Sequence, residues 1–335
     1  MRAAIIETPG QIGVGERPDP EPAADGVVVQ VGACGICGTD LHIADGEFPP
    51  SPYPLVPGHE FAGEIVAVGS AAPGGLRVGD RVAVDPSLFC GHCSFCRAGR
   101  GNLCANWGAI GDTVDGAFAE YVAAPAVNCH RMPDGMTFRE AAIVEPLSCA
   151  VHGVRRIGVS VGERFLLIGA GTMGLLLLQL LQRGGADVTV VDRNTERLKI
   201  AAALGAATTA TDVAELDGER FDAAADATGH PRAIEAAFGA LRRGGRLLVF
   251  GVAAAEDRVD LSPFRIYNDE ITVVGSMAVL NSYGAALDLI GSGAVQTEQL
   301  LTHAAPLADF PAALDLMRSG AGVKIQVVPS GDTFR

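Results

Sequence analysis

Residues 166–174, LLIGAGTMG, decide the class of fold. An apolar run leads into Gly169-x-Gly171-x-x-Gly174, and a Leu-rich segment with the pattern of a helix follows. Glycines at this spacing permit a tight turn after a strand, a close approach of backbone N–H groups to a pyrophosphate, and close packing of the helix on the strand. The stretch therefore predicts a phosphate-binding loop in a dinucleotide-binding domain.

The sequence around this loop has the alternation that such a domain requires. From about Val151, short apolar strands alternate with helical patterns, including helices over 195–204 and around 233–241. This alternation is typical of a doubly wound parallel sheet. The strand after the loop ends in Asp192, whose carboxylate can accept hydrogen bonds from both ribose hydroxyls and repels a 2′-phosphate. NAD is therefore predicted, although Arg193 leaves NADP open because an Arg can contact a phosphate.

The residues predicted to bind the cofactor belong to the loop, the strand that follows it, and the segments next to them. They are Gly169, Gly171, Thr172, Met173, Gly174, Asp192, Arg193, Arg197 and Thr228.

The chain outside this region has a different pattern of apolar and turn-forming residues. The first ~145 residues are punctuated by Gly, Pro and Asp and carry short β-branched runs such as GVVVQVG, GEIVAVG and DRVAV, which predict a β-rich domain. The tail from about Ser282 carries a helix, a helix near 310–318, and a last strand in KIQVVP. We expect this tail to pack back on the first domain.

Composition and charge exclude several classes of partner. The 335 residues include 25 Lys and Arg against 39 Asp and Glu, a net charge of −14, which repels phosphate backbones and argues against nucleic-acid binding. Glycines interrupt the longest apolar stretch, so no membrane segment is predicted. The N-terminus lacks the pattern of a signal peptide, so we expect a cytoplasmic protein. Eight cysteines in that reducing compartment favour metal binding or catalysis over disulfides.

A first group of chemically active residues lies in CGICGTDLHI, PGHEFAGEIVAVG and VEPLSCA. One thiolate, one imidazole and one or two carboxylates suit a catalytic zinc, which keeps a coordination position open. A redox pair of Cys34 and Cys37 would need a βαβ context that this β-rich region does not offer. The residues of this group are Cys34, Cys37, Thr39, Asp40, His42, His59, Glu60 and Glu145.

The segment CGHCSFCRAGRGNLC holds four more cysteines, Cys90, Cys93, Cys96 and Cys104. In the ferredoxin pattern that binds an iron–sulfur cluster, three residues separate the third and fourth Cys, and Pro follows the fourth. Here seven residues separate Cys96 from Cys104, and Ala follows Cys104, which disfavours such a cluster. Four thiolates can close tetrahedrally around zinc with no open position. The segment therefore predicts a structural zinc site, and the remaining alternative is a site left empty or oxidised.

Taken in order, GHEFAGEIVAVG, GDRV, the four-cysteine segment and GAGTMG resemble the zinc-dependent medium-chain dehydrogenases over essentially the whole chain. The sequences GHE and EPLS together resemble the branch with sorbitol and other polyol dehydrogenases and threonine dehydrogenase. The resemblance implies an α/β protein with a GroES-like β-barrel catalytic domain in residues 1–146, completed by 285–335. Residues 147–284 would form a Rossmann NAD-binding domain.

The resemblance also implies roles for the first group. Cys37, His59 and Glu60 would ligate the catalytic zinc, with Glu145 as an alternating ligand or a neighbour of zinc-bound water. Asp40 would orient His59, since metal-bound histidines need such a partner.

The same resemblance implies a path for the proton and a reaction. Thr39 would take the proton of the substrate alcohol, and His42 would be the outlet of a relay through the nicotinamide ribose. The four-cysteine segment would bind a second, noncatalytic zinc. The protein would then be a zinc-dependent oxidoreductase that transfers hydride from a secondary alcohol to NAD, giving a ketone. Homo-oligomers, tetramers or dimers, are expected in this branch.

The substrate and two other functions stay open. Several sorbitol-type enzymes carry an aromatic residue after the relay His and an Arg-Tyr pair beyond the last Rossmann strand. Here Ile43 follows His42, and the region beyond the last Rossmann strand reads SMAVL, residues 276–280. A linear hexitol is therefore disfavoured as the substrate. A shorter polyol, a cyclitol, an amino alcohol or a partly apolar alcohol stays open. The alternatives are an NADP-preferring carbonyl reductase and a catalytically silent NAD-binding protein. The second is disfavoured because every expected ligand and relay residue is present.

Overall fold

The computed structural model describes residues 1–47 and 51–329, and the chain divides into two compact units. The first unit contains Met1–Glu145 and Val279–Arg335, and the second contains Pro146–Ala278. Among the described residues, no helix combines the length and the apolar character that crossing a membrane requires.

The N-terminal part of the first unit is mostly strand, as predicted. Its strands are β1 (Arg2–Thr8), β2 (Gln11–Glu16), β3 (Gly26–Gly35), β4 (Glu60–Val68), β5 (Arg81–Val84), β6 (Ser87–Leu88), β7 (Gly108–Ala109), β8 (Tyr121–Pro125) and β9 (Cys129–Arg131). Its helices are α1 (Gly38–Asp45), α2 (Ser94–Arg97) and α3 (Phe138–Ala141).

The main sheet of this unit is built around β3 and β4. β3 pairs antiparallel with both β4 and β8, and β4 pairs antiparallel with β5. Nearly all of β3 is buried, because it lies in the interior of the sheet and its β-branched side chains pack on both faces. The burial of apolar side chains such as Phe61, Ile65 and Phe118 in one core drives this arrangement.

The second unit alternates helices with strands. Its elements are α4 (Val144–Ile157), whose first two residues belong to the first unit, β10 (Arg164–Ile168), α5 (Thr172–Arg183), β11 (Asp187–Val191), α6 (Thr195–Ala203), β12 (Thr208–Ala210), β13 (Phe221–Asp226), α7 (Pro231–Gly239), β14 (Leu241–Val249), α8 (Pro263–Asn268) and β15 (Thr272–Gly275).

All strands of the second unit form one parallel sheet in the order β12-β11-β10-β13-β14-β15. Strand order reverses between β10 and β13, which is the pattern of a doubly wound dinucleotide-binding sheet. The predicted parallel sheet is therefore confirmed. One boundary differs: the helix expected around 233–241 is α7, because His230 caps it and Pro231 suits the first turn.

The tail returns to the first unit as α9 (Tyr283–Gly291), β16 (Leu301–Pro306), α10 (Phe310–Arg318) and β17 (Lys324–Val328). β17 pairs antiparallel with β3 and parallel with β16, so the tail extends the main sheet. β17 is the strand expected from KIQVVP.

Candidate active site

Cys37 stands at the N-terminus of α1, immediately after β3. Its thiol accepts the backbone N–H of Thr39 at 3.2 Å, and its own N–H donates to Oδ2 of Asp40 at 2.8 Å. The Asp40 contact forms a capping box with a bond from the backbone N–H of Asp40 to the Cys37 side chain, in which a thiol replaces the usual hydroxyl. The first turn of the helix therefore fixes the position of the Cys37 sulfur.

His59, the residue before β4, faces Cys37. Its Nε2 lies 3.0 Å from the Cys37 Sγ, and its Nδ1 lies 3.2 Å from Oδ1 of Asp112 and 3.9 Å from Oδ1 of Asp40. Burial alone would lower the pKa of His59, but the Cys37 thiolate and the Asp112 carboxylate outweigh it. The pKa of His59 is therefore raised well above its ordinary value.

Burial has the opposite effect on the acidic groups around His59. It raises the pKa of Cys37 against the influence of the imidazole, and it raises the pKa of Asp40 to about 6. A bound metal ion would remove the thiol proton outright, because a coordinating thiol is deprotonated.

Glu60, the first residue of β4, is held by a lysine that the sequence analysis did not single out. Both carboxylate oxygens accept from Nζ of Lys324, at 2.9 and 2.6 Å. Burial would lower the pKa of Lys324, but Glu60 outweighs that effect and the pKa is raised. A Cβ at Gly35 would lie 2.1 Å from Oε2 of Glu60, so this carboxylate would have to shift if Gly35 carried a side chain.

Two groups of potential metal ligands meet at His59. Among the described residues, Cys37, Asp40 and His59 place one ligand atom each within 4.8 Å of one another, and so do His59, Glu60 and Glu145. The structure thus brings Cys37, Glu60 and Glu145 around one buried imidazole. Soft sulfur, nitrogen and carboxylate oxygen donors together suit zinc.

Sequence reasoning missed two residues of this cluster, Asp112 and Lys324. Asp112 lies in a turn after β7 and belongs to no motif, so nothing in the sequence could have indicated it. Lys324 did carry a signal: it is a lone charge at the start of an apolar strand, and a buried lysine needs an anionic partner.

The expected relay residues lie on α1. Thr39 and His42 are three residues apart, so they share one face of the helix. The Nδ1 of His42 lies 2.8 Å from Oε2 of Glu47, and both side chains are partly exposed. The helix therefore places a hydroxyl and an imidazole on one face, and the Glu47 carboxylate, two residues beyond the helix, contacts the imidazole. Ile43, the next residue, is fully buried in the core.

Cys34 and Cys37 do not form a disulfide. All eight cysteines lie in the described part of the chain, and each is a free thiol. Cys34 is fully buried in the apolar core, and burial raises its pKa well above the ordinary value. A buried thiol of high pKa is inert, so Cys34 packs as a small apolar side chain.

The four cysteines of the CGHCSFCRAGRGNLC segment come together around α2. Their sulfurs lie within 4.8 Å of one another. The N–H groups of His92 and Cys93 lower the pKa of Cys90 to about 6, whereas burial raises the pKa of Cys96 to about 12. The Cys104 sulfur accepts N–H groups from Cys90 and Asn106, both at 3.3 Å. Four thiolates at these distances suit a closed tetrahedral metal site.

In the second unit, the glycine-rich loop joins β10 to α5. Gly169 has φ +106°, and a Cβ on Gly174 would lie 1.9 Å from the carbonyl oxygen of Gly169. Gly171 is the N-cap residue of α5. The helix N-terminus carries partial positive charge and free N–H groups, which favour a phosphate.

Asp192 ties this loop to the next strand. Its Oδ2 accepts the N–H of Ala170 at 2.6 Å, and its Oδ1 accepts the N–H of Asn194 at 2.8 Å. The remaining predicted cofactor residues are spread around the loop: Thr172 and Met173 in the first turn of α5, Arg193 exposed after β11, Arg197 on α6 near Gly171, and Thr228 packed against Gly169.

Comparisons with known proteins agree with this arrangement. A family model of the alcohol dehydrogenase GroES-like domain matches residues 23–134, and a zinc-binding dehydrogenase model matches residues 172–292. The chain is 37% identical to D-arabinitol dehydrogenase 1 of Uromyces fabae, over 98% of this chain and 97% of that relative.

Two solved structures share the fold over nearly their full length. A zinc-binding dehydrogenase from Sinorhizobium meliloti 1021 bound to NADP has a TM-score of 0.94 and 34% identity, covering 98% of this chain and 99% of its own. A protein named short chain alcohol dehydrogenase from E. coli CFT073, complexed with NADH, has a TM-score of 0.92 and 31% identity, with coverage of 98% and 99%. These matches confirm the predicted GroES-like and Rossmann fold class, and the family uses zinc and a nicotinamide cofactor. The chain therefore belongs to the zinc-dependent medium-chain dehydrogenase family.

Proposed function

We propose that the protein oxidises a secondary alcohol to a ketone with zinc and NAD. The observation that carries the proposal is the cluster at His59, where a thiol lies 3.0 Å from the imidazole and the ligand atoms of His59 and two glutamates lie within 4.8 Å of one another. Residues 1–146 with 285–335 would form the catalytic domain, and residues 147–284 would bind the cofactor.

The residues present fit a catalytic zinc. Cys37, His59 and one carboxylate from Glu60 or Glu145 give the three protein ligands of an open site. The buried Nδ1 of His59 faces a carboxylate, as a metal-binding imidazole requires. When bound, zinc supplies Lewis acidity and NAD supplies the acceptor for hydride.

The chain's own residues would remove the proton that the alcohol loses. The backbone N–H of Thr39 donates to the sulfur of Cys37, so Thr39 lies next to a proposed ligand. His42 lies one turn further along the helix, and Glu47 beside it reaches the surface. A hydroxyl and an imidazole in series can carry a proton out of a site that excludes water.

NAD is the proposed cofactor because Asp192 directly follows β11, where its charge repels a 2′-phosphate. A second candidate, an NADP-preferring carbonyl reductase, is favoured by Arg193, which is exposed beside Asp192. The S. meliloti relative was solved with NADP and the E. coli relative with NADH. Comparing kcat/KM for the two cofactors separates the candidates.

The proposed substrate is a short polyol, a cyclitol or an amino alcohol. A relative that spans nearly the whole chain is named for the polyol D-arabinitol, which supports a hydroxyl-rich substrate. SMAVL offers no arginine to hold a long hexitol, and Ile43 is buried in the core rather than available to line a pocket.

We also propose a cytoplasmic homo-oligomer, either a dimer or a tetramer. In the second unit β15 is an edge strand, and Val273 on it is exposed together with Phe264 and Tyr267 of α8. Exposed apolar groups of this size often mark a protein–protein interface. Light scattering coupled to size-exclusion chromatography of wild type and Val273→Lys tests this, since a charge at the edge should shift the mass toward the monomer.

The experiment that tests the function is a panel of polyols, cyclitols, amino alcohols and simple secondary alcohols, assayed for NADH formation with and without a chelator. We expect activity on at least one class, lost on chelation and in Cys37→Ser. Cys129→Ser is the matched control, because Cys129 belongs to neither ligand cluster. Turnover that survives Cys37→Ser on the best substrate would exclude the zinc mechanism.

A further inference from the structure

The two ring nitrogens of His59 face different partners. Nε2 points to the Cys37 sulfur at 3.0 Å, and Nδ1 points to Oδ1 of Asp112 at 3.2 Å. The nearest oxygen of Asp40 is further away, at 3.9 Å. The side chains of these contacts are all buried: His59, Asp40 and Asp112. The low dielectric constant of the interior therefore strengthens the electrostatic interactions between them.

Asp40 also makes a hydrogen bond to the backbone of Cys37. Its Oδ2 accepts the backbone N–H of Cys37 at 2.8 Å and completes the cap of α1. That bond holds the first turn of the helix and with it the Cys37 sulfur. Asp40 therefore positions the thiol through Oδ2. Its Oδ1, which is buried without a hydrogen-bond partner among the described residues, lies 3.9 Å from Nδ1 of His59, beyond hydrogen-bonding distance.

The turn that carries Asp112 is packed directly on the residue before His59. Gly111 has φ +88°, and a Cβ there would lie 2.4 Å from the carbonyl oxygen of Gly58. Gly58 itself has φ +103°. Because neither position has a side chain, the two backbones approach closely enough for the Asp112 carboxylate to reach His59.

Both atoms of the contact lack another partner. Within the part of the chain that the structure describes, His59 Nδ1 and Asp112 Oδ1 are buried without a hydrogen bond of good geometry. Of the two carboxylates that face Nδ1 of His59, Asp112 is the closer, at 3.2 Å against 3.9 Å for Asp40. A metal-bound imidazole donates its second N–H to such a carboxylate, and this fixes the tautomer and orientation of the ring.

We propose that Asp112 is the positioning residue for His59: it accepts the Nδ1 proton and so presents Nε2 as a neutral donor to the metal. Asp40 holds Cys37, and each of the two ligands thus has its own carboxylate. This inference rests on the proposed zinc site.

Asp112→Asn tests the inference in the full-length protein, with zinc affinity measured by competition against a chromogenic chelator. We expect about 10- to 100-fold weaker binding at the site of His59, the usual cost of losing such a partner. Asp115→Asn is the matched control, because Asp115 lies in the same loop but accepts the backbone N–H of Val56 and belongs to no ligand group among the described residues. Unchanged zinc affinity in Asp112→Asn would overturn the inference.

A second readout separates positioning from general support of the fold. Zinc should raise the thermal midpoint of Asp112→Asn less than that of wild type, while the metal-free midpoints stay close. If instead the metal-free midpoint falls and the rise with zinc is unchanged, Asp112 is merely structural and the inference fails. His59→Ala distinguishes the two proposals: if it too leaves zinc binding intact, the proposed zinc site itself is wrong.

Discussion

Lys324 and Glu60 form a buried ion pair that joins the last strand of the chain to the residue after His59. Nζ of Lys324 lies 2.6 and 2.9 Å from the two carboxylate oxygens and 2.9 Å from the carbonyl oxygen of Ile36. The ammonium thus uses all three of its donors. A proposed zinc ligand is therefore held by a residue some 260 positions away in the chain.

Replacing Lys324 with Met leaves the Glu60 carboxylate buried without its cation. We expect the free energy of unfolding of the metal-free protein to fall by about 3–5 kcal/mol. Zinc should recover part of this loss because it supplies positive charge beside the carboxylate. Chemical denaturation with and without zinc measures both quantities.

The matched control for Lys324 is Lys199→Met, which breaks an exposed pair with Glu196. It should cost at most about 1 kcal/mol, because exposed ion pairs contribute little. The double variant Lys324→Met/Glu60→Met removes both charges, and it should be more stable than Lys324→Met alone. Equal stability of the single and double variants would contradict the assigned role of the pair.

The four-cysteine segment should hold a zinc of its own. Metal analysis of wild type should give about two zinc ions per chain from a colourless protein, and Cys104→Ser should give about one. We expect the variant to lose stability because its Sγ also accepts the N–H groups of Cys90 and Asn106. Brown colour, or one zinc in wild type with all four thiols titratable, would refute the structural zinc.

Asp192 should control the choice between NAD and NADP. Asp192→Asn keeps the shape of the side chain but removes the charge that repels a 2′-phosphate. We expect the ratio of kcat/KM with NAD to kcat/KM with NADP to fall by about tenfold or more. Asp187→Asn, at the other end of β11, should leave the ratio unchanged. A wild type that prefers NADP would instead support the carbonyl reductase.

The stability of the second unit should depend on pH through Glu163. Desolvation raises the pKa of Glu163, but hydrogen bonds from Arg246 and Ser160 outweigh it and hold the pKa below its ordinary value of 4.5. A lowered folded-state pKa means that the stabilisation is present above pH 4.5 and is lost as pH falls through the folded value.

Glu163→Gln should therefore be less stable than wild type by about 1–2 kcal/mol at neutral pH. The difference should shrink as pH falls below the ordinary pKa of the carboxyl, and chemical denaturation across that range measures it. Glu196→Gln, which alters an exposed pair, should show little difference at any pH. A difference for Glu163→Gln that grows in acid would contradict a lowered pKa of Glu163 in the folded state.

Local patterns predicted the elements that local chemistry controls. The parallel sheet follows from the alternation of apolar strands and helices, and α10 begins and ends where its apolar repeat does. The glycine spacing indicated the loop after β10 because the close contact between Gly174 and Gly169 excludes any side chain. The end of α7 was less predictable, since Leu241 suits both a helix and the strand that it begins.

The sequence by itself determined the kinds of donor available: thiols, imidazoles and carboxylates in recognisable motifs, and a glycine-rich loop ahead of Asp192. Only the tertiary structure decided which charges meet in the buried cluster. Asp112 reaches His59 because two glycine backbones pack together, and Lys324 reaches Glu60 because β17 and β4 both pair with β3. Both contacts join residues far apart in the chain, and a buried charge is stabilised by the partner that the fold supplies rather than by its neighbours in sequence.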